Sequence, residues 1–285
     1  MKNLLNKYEK NIYSQSGEDG VIEHIFSIIP NSNKWCVEFG AWDGIVYSNT
    51  RALIEKGWNA VLIEPNPRKF ISLKKNNSKY PKAICLKKFI NLSGKNSLDN
   101  ILKDEKAPKS IDLLSIDIDG NDYHIWKSLN IFKPKVVVIE FNQTIPPDIE
   151  YVQACDFSVR QGNSLKSLQL LAKEKKYELI CCTEGNAFFV QEKYFPLFKI
   201  KNNSIKKLWN YEYETKLYQL FDGTIKITGN NRRLLWGNIL FDEEDIQVIP
   251  KFVRRFPEGY LSIAILLIYS NFKKLKMAMR KNKNA

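Results

Sequence analysis

Trp35-Cys36-Val37-Glu38-Phe39-Gly40-Ala41-Trp42-Asp43-Gly44 reads as a buried strand running into a tight, acidic, glycine-bearing turn. A dinucleotide loop leaves a helix N-terminus and bare backbone N–H groups facing a pyrophosphate. Carboxylates at Glu38 and Asp43 would repel that anion. S-adenosylmethionine has no phosphate and carries a sulfonium and an ammonium, so the same carboxylates attract it. Unit charges a few Å apart interact by about 1 to 4 kcal/mol at water-like to surface-like dielectric. Charge at the turn therefore favours S-adenosylmethionine over NAD.

Outward from the turn, a helical pattern (Ser48 to Lys56) and Gly57 lead to the apolar run Ala60-Val61-Leu62-Ile63, which ends in Glu64. That is where a nucleoside-binding α/β fold places its ribose-gripping acid. An ordinary βαβ unit with surface acids at its strand ends is the plain alternative, and Glu64 weighs against it. On the N-terminal side, Ser14 to Asp19 opens a helix over 21–26, with Ser16 and Asp19 placed as a capping box. Strands are expected at 35–39, 59–63, 83–88, 112–117 and 135–141, with helices near 46–56, 67–75, 97–103 and 122–129. Such alternation implies a mainly parallel sheet covered on both faces.

A polar loop from Asn142 to Asn163 follows, then a helix (Ser164 to Lys176) and two strands, Tyr177 to Cys182 and Ala187 to Gln191. Only the Gly185-Asn186 corner and its neighbours separate these strands, so they pair antiparallel. The fold class expected is α/β, the Rossmann-like class I methyltransferase layout, a mainly parallel seven-stranded sheet with an antiparallel last strand. A catalytic domain over 1–195 and an appendage over 196–285 complete the chain. The appendage has hairpin turns at Asp222-Gly223 and near Gly229-Asn230, then a basic tail helix.

The formal net charge of +13 points to an anionic partner. The excess is concentrated late: from Lys251 onward the basic residues are Lys251, Arg254, Arg255, Lys273, Lys274, Lys276, Arg280, Lys281 and Lys283, against Glu258 alone. Leu261 to Tyr269 beside the lysines forms a segment suited equally to an anionic membrane surface or to a docking helix with a solvated basic end. It is far shorter than the ~20 residues of a transmembrane helix. No nucleic-acid-binding motif accompanies the charge, so nucleic acid is not expected as a partner. The five cysteines show no CxxC spacing and the lysine-rich start lacks a signal-peptide core, which suits a cytoplasmic protein with peripheral contact at the inner membrane face.

Several pieces together resemble the FkbM-like family of S-adenosylmethionine-dependent methyltransferases. They are Ser14-Gln15 with Gly17-Glu18-Asp19, Glu38 to Gly44, Glu64, Ser97-Leu98-Asp99, Ile116-Asp117-Ile118-Asp119-Gly120, Glu140, and Asn186 to Val190. The resemblance covers roughly residues 12 to 195. It implies O-methylation of hydroxyls, often on sugars of glycans, glycolipids or natural products, with Tyr13 and Gln15 closing over the methionine end of the cofactor. The chain departs from the commoner pattern at Asp119-Gly120-Asn121-Asp122, where the family more usually has Glu-Gly and a single following acid.

Methyl transfer from a sulfonium is an in-line displacement, so holding the acceptor oxygen near the methyl carbon does most of the work. A sugar hydroxyl must also lose its proton, to a general base or with help from a divalent metal. His124, early in the helix after the fourth strand, is a candidate base by its reference pKa, with Asp117 and Asp119 as further catalytic candidates. His24, on an apolar helix, reads as structural. Asp117, Glu140 and Asn142, at the ends of the fourth and fifth strands, are hard oxygen donors that suit Mg, and Asp119 or Asp122 can substitute. The run from Asp117 is no EF-hand, because its glycine comes too early and Ser128 stands where a bidentate Glu belongs. Candidate cofactor contacts are Gln15, Glu38, Gly40, Ala41, Asp43, Glu64, Ser97 and Asp117. Ser97 and Asp99 divide between adenine-side contacts and a helix cap. Asn142 to Pro147, Arg160, Gln161 and Asn163 are acceptor-site candidates. An NAD-linked oxidoreductase and a non-catalytic glycan-binding or membrane-docking module are the rival readings.

Overall fold

The computed structural model describes the chain apart from residues 1–4, 31, 211, 230–232, 235–237, 255, 257 and 284–285. Five parallel strands form where the apolar runs lie: β1 (Trp35–Phe39), β2 (Asn59–Ile63), β3 (Ala83–Leu86), β4 (Leu113–Ile116) and β5 (Val136–Glu140). β6 (Tyr177–Cys182) and β7 (Asn186–Gln191) close a seven-stranded sheet of order β3-β2-β1-β4-β5-β7-β6. This is the expected class I methyltransferase sheet, with β7 antiparallel to both neighbours. β7 lies between β5 and β6 and is not the edge.

The runs are apolar throughout because both faces of the sheet are covered. Val37, Phe39, Val61, Ile63, Leu114 and Ile116 point to one side, against Leu98, Ile101 and Leu102 of α4 (Leu98–Asp104), Ile125 and Trp126 of α5 (Asp122–Ser128), and Leu165, Leu168 and Leu171 of α6 (Leu165–Glu174). Cys36, Ala60, Leu62 and Leu113 point to the other, against Val21, Ile22 and Ile25 of α1 (Glu18–Ile28), Leu53 and Ile54 of α2 (Arg51–Glu55), and Leu73 of α3 (Pro67–Asn76). Alternate residues of one strand thus feed two cores, as a period of two requires.

Two local expectations change. The capping box at Ser16 and Asp19 does not form; Gly17 is the N-cap, at φ 95°. Ser14 is the residue that exchanges hydrogen bonds with Asp19, its Oγ accepting from the Asp19 amide at 3.0 Å and its own amide donating to Asp19 Oδ2 at 2.8 Å. The helix expected from residue 46 begins only at Arg51, because Ser48, Asn49 and Thr50 turn inward to Glu38.

The chain divides into two compact units, Met1–Tyr211 and Glu212–Ala285. The first runs past residue 195 because α7 (Ile205–Leu208) and Trp209 bury Ile205, Leu208 and Trp209 in the same core as α4 to α6. In the second, β8 (Thr215–Gln219) and β9 (Ile225–Gly229) form an antiparallel hairpin. Its turn is at Asp222-Gly223, where Asp222 Oδ1 accepts from the Thr224 amide at 2.9 Å. The turn near Gly229-Asn230 falls partly outside the described residues. β10 (Arg233–Leu234) pairs with β11 (Ile239–Leu240), and α8 (Gly259–Lys283) ends the unit. Among the described residues no helix is long and apolar enough to cross a membrane.

Candidate functional site

The carboxyl ends of β1, β2, β4 and β5 bring the candidate residues together, at the edge where open α/β sheets bind ligands. β1 ends in Gly40 at φ 75°, and a Cβ there would lie 1.7 Å from the Asp117 carbonyl oxygen. Only glycine lets the ends of β1 and β4 approach so closely. The Ala41 amide donates to the Ile63 carbonyl at 3.2 Å, so the turn is tied to β2 as well.

The carboxylates of the turn are partnered within the chain. Asp43 Oδ1 accepts from the Ile45 and Val46 amides, both at 2.9 Å. Glu64, 5% exposed, accepts from the Trp42 amide at 3.0 Å and the Asn66 amide at 2.7 Å. Glu38 accepts from Ser48 Oγ, the Asn49 amide and Thr50 Oγ1. Burial pushes the Glu38 carboxyl up from its ordinary value, against the pull of those three donors. Amides that would otherwise be free to cradle a pyrophosphate are thus taken by the chain's own acids, which adds a structural reason to the charge argument against NAD. Glu38 acts as the pin of the 48–50 loop.

An open crevice lies beside this turn, lined by Phe39, Gly40, Ile63, Pro65, Lys88, Phe89, Ile90, Ile118, Asp119, Gly120, Asn121, Phe157, Val159 and Arg160. It is mostly apolar with a few polar groups at the rim, as small-molecule sites are. Phe89 and Phe157 meet edge to face at 4.8 Å, although 47% and 37% exposed. Asn121 stands in the wall with its Nδ2 donating to the Asp156 carbonyl at 2.9 Å. Its buried Oδ1 has no hydrogen-bond partner, and such an acceptor carries a desolvation cost that a ligand N–H relieves. Sequence reasoning missed Lys88, Phe89, Ile90, Asn121 and Phe157. The signals were there: three consecutive residues soon after β3, and the single phenylalanine of the 142–163 loop.

Asp117, Asp119 and Glu140 bring carboxylate oxygens within 4.8 Å of one another. Asp119 sits in the left-handed region at φ 58°, which aspartate tolerates better than most residues. Asp117 stays open to solvent on one side, yet the surrounding protein strips much of its hydration. Asp122 and Asp119 add repulsion, and together these raise its carboxyl to about 7. Loss of water and then the charge of Asp117 raise Glu140 as well, and the two carboxyls are hydrogen-bonded to each other. The pair therefore holds a proton where isolated carboxylates would not.

A raised folded pKa means that the folded state binds the proton more tightly, so the pair's contribution is present at low pH and is lost as pH rises through the raised value. Glu140→Gln removes that loss. We expect the variant to melt higher at neutral pH by roughly 2–4 °C, after discounting the shift to about 1 kcal/mol for solvent screening. Scanning calorimetry at neutral and acidic pH checks this, and an unchanged or lowered melting temperature at neutral pH would contradict the raised pKa.

The remaining candidates have other partners. Asn142 is turned into its own loop, its Oδ1 accepting from the Thr144 amide at 3.0 Å and from Thr144 Oγ1 at 2.7 Å. Asp119, expected as a substitute ligand, is the carboxylate that joins Asp117 and Glu140. Asp122 is buried and accepts from the Ile118 and Gly120 amides, which fixes the turn after β4. His124 Nε2 donates to the Gln153 carbonyl at 2.9 Å, so that ring edge holds the 151–163 loop. Ser97 is an N-cap that accepts from the Asn100 amide, and Asp99 accepts from the Asn130, Ile131 and Phe132 amides. Tyr13 gives its hydroxyl to Glu55 at 2.9 Å, and Gln15 is exposed. Asn163 is buried with its Nδ2 on the Gly120 carbonyl, and Gln161 accepts from the Tyr151 hydroxyl. Of the acceptor-loop candidates, Arg160 reaches the crevice.

Residues 94–179 match the model of the family described as "Methyltransferase FkbM domain". The first unit therefore carries a methyltransferase domain, and the resemblance read from the motifs holds across that span. No curated protein matches the chain. Solved structures with a similar fold include a TehB-like SAM-dependent methyltransferase from Corynebacterium glutamicum, at 15% identity and TM-score 0.39 over 64% of this chain and 89% of that one. A putative caffeoyl-CoA O-methyltransferase from Staphylococcus aureus is similar at 15% identity and TM-score 0.41, over 61% of this chain and 82% of that one. The SAH-bound Podospora anserina methyltransferase PaMTH1 is similar at 16% identity and TM-score 0.34, over 55% of this chain and 71% of that one.

Proposed function

We propose that this methyltransferase uses S-adenosylmethionine to O-methylate a sugar hydroxyl of a glycan, glycolipid or related intermediate. One observation carries the reading: Asp119 belongs both to the crevice wall and to the carboxylate cluster, so a donor pocket and a proton-handling group share a border. When bound, the cofactor supplies an electrophilic methyl group.

The chain's residues divide the remaining tasks. Phe89, Phe157, Ile63 and Ile90 give an adenine ring apolar and aromatic contact. Asn121 Oδ1 is the acceptor for its amino group. Glu64, on two backbone amides, keeps lone pairs for ribose hydroxyls. Asp117 in its ionised form takes the acceptor's hydroxyl proton, and Glu140 stabilises the protonated pair through their shared hydrogen bond. The sugar class rests on the family resemblance, and the wet, acid-rich border suits a hydroxylated acceptor.

A second reading of the same cluster is a divalent-ion site for Mg, favoured by three carboxylates at mutual ligand distance. Such an ion would hold the acceptor hydroxyl and lower its pKa. Activity lost to a chelator and restored by magnesium would select this reading over the free base.

The test is calorimetry with S-adenosylmethionine, S-adenosylhomocysteine and NAD, followed by transfer of labelled methyl groups to a panel of free and lipid-linked sugars. Binding of the sulfur compounds and labelled sugar product are expected; NAD binding alone would overturn the proposal. Glu64→Ala is expected to weaken S-adenosylhomocysteine affinity by roughly tenfold or more, because bonds to a charged acceptor contribute about 1.5–3 kcal/mol. Near-normal affinity in a folded variant would move the ribose elsewhere.

A further inference from the structure

We propose that α8 is an interfacial helix that seats this protein on an anionic lipid surface. Along Gly259–Lys283, Leu261, Ile265, Ile268, Phe272, Leu275 and Met279 follow one another at alternating intervals of four and three. Residues so spaced fall on one stripe of a helix. Five of the six face water: Leu261 is 76% exposed, Ile268 71%, Phe272 57%, Leu275 61% and Met279 54%, while Ile265 is half-buried. The helix has a fixed point off the stripe, where the Tyr269 hydroxyl donates to the Val248 carbonyl at 2.9 Å. The apolar face is therefore not the one that anchors the helix within its own unit.

Charge selects what covers it. The helix carries Lys273, Lys274, Lys276, Arg280, Lys281 and Lys283 and no Asp or Glu. The same three-four spacing also suits pairing of helices, but a second copy would bring two all-basic segments together with no carboxylate on either. An anionic bilayer meets both needs, taking the apolar stripe at the headgroup boundary and neutralising the lysines. The helix is not apolar enough to cross the bilayer, so it lies on the surface.

The full-length protein is mixed with vesicles of phosphatidylcholine alone and of phosphatidylcholine with phosphatidylglycerol, and the bound fraction is read by co-sedimentation across a salt series. Binding to the anionic vesicles is expected to exceed binding to the neutral ones by at least about tenfold and to fall with salt. Two double variants at exposed positions, Lys274→Glu with Lys276→Glu and Ile268→Ser with Leu275→Ser, are each expected to lose binding. Their melting temperature and S-adenosylhomocysteine affinity are expected to stay at the wild-type value. The proposal is overturned by equal binding to both vesicles, by no binding, by variants that bind as well as wild type, or by an oligomer in light scattering that the serine pair dissolves.

Discussion

Gly40→Ala is expected to remove more than about 4 kcal/mol of stability, enough to leave a domain of ordinary stability mostly unfolded or insoluble. The added Cβ would fall 1.7 Å from the Asp117 carbonyl oxygen, a backbone atom with no rotamer to retreat into. The left-handed backbone at φ 75° adds a further penalty of about 1–2 kcal/mol. Gly57 provides the control. Its φ is 82° and nothing lies within 4 Å of its would-be Cβ, so alanine there carries the conformational penalty alone. Urea midpoints of the two variants separate the effects. Equal losses would mean that the β1–β4 approach is looser than described.

Asp117→Asn is expected to lower the rate of methyl transfer by about 10²- to 10⁴-fold, the range of a lost general base. Affinity for S-adenosylhomocysteine is expected to hold, since asparagine keeps the shape of the site. The pH profile gives a signature that packing damage would not. Asp117 works as a base only when ionised, and its carboxyl is raised to about 7 by loss of water and by neighbouring acids. The wild-type rate should therefore climb as pH passes upward through about 7, and this limb should disappear in the variant. A rate independent of pH between about 5 and 9 in the wild type would remove Asp117 from the role.

The sheet was legible because its inner parallel strands are covered on both faces, so their residues read as largely apolar runs. The strands at 35–39 and 59–63 fall on the expected residues. The acids at the strand ends were legible as well, by sign and position. What they hold was not. Whether Asp43 faces a ligand or the amides of Ile45 and Val46 depends on a turn geometry that residue types do not encode. The same applies to Asn142, whose oxygen goes to Thr144, and to His124, whose partner Gln153 is distant in sequence. Serine spacing alone suggested Ser16 as the cap, while Ser14 is better placed once Gly17 turns left-handed. The aromatic walls of the crevice are the clearest omission. Phe89 and Phe157 come from separate loops and acquire a joint role only when the sheet sets them side by side.

Because β7 and not β6 pairs with β5, the later strand of the final hairpin is the inner one, and β5 has no partner on that side until the chain has run through β7. A nascent chain that has emerged only as far as α6 exposes the whole ladder edge of Val136–Glu140, a run of valines and isoleucine with nothing alongside. Such an edge invites other chains until Asn186–Gln191 leaves the ribosome and caps it.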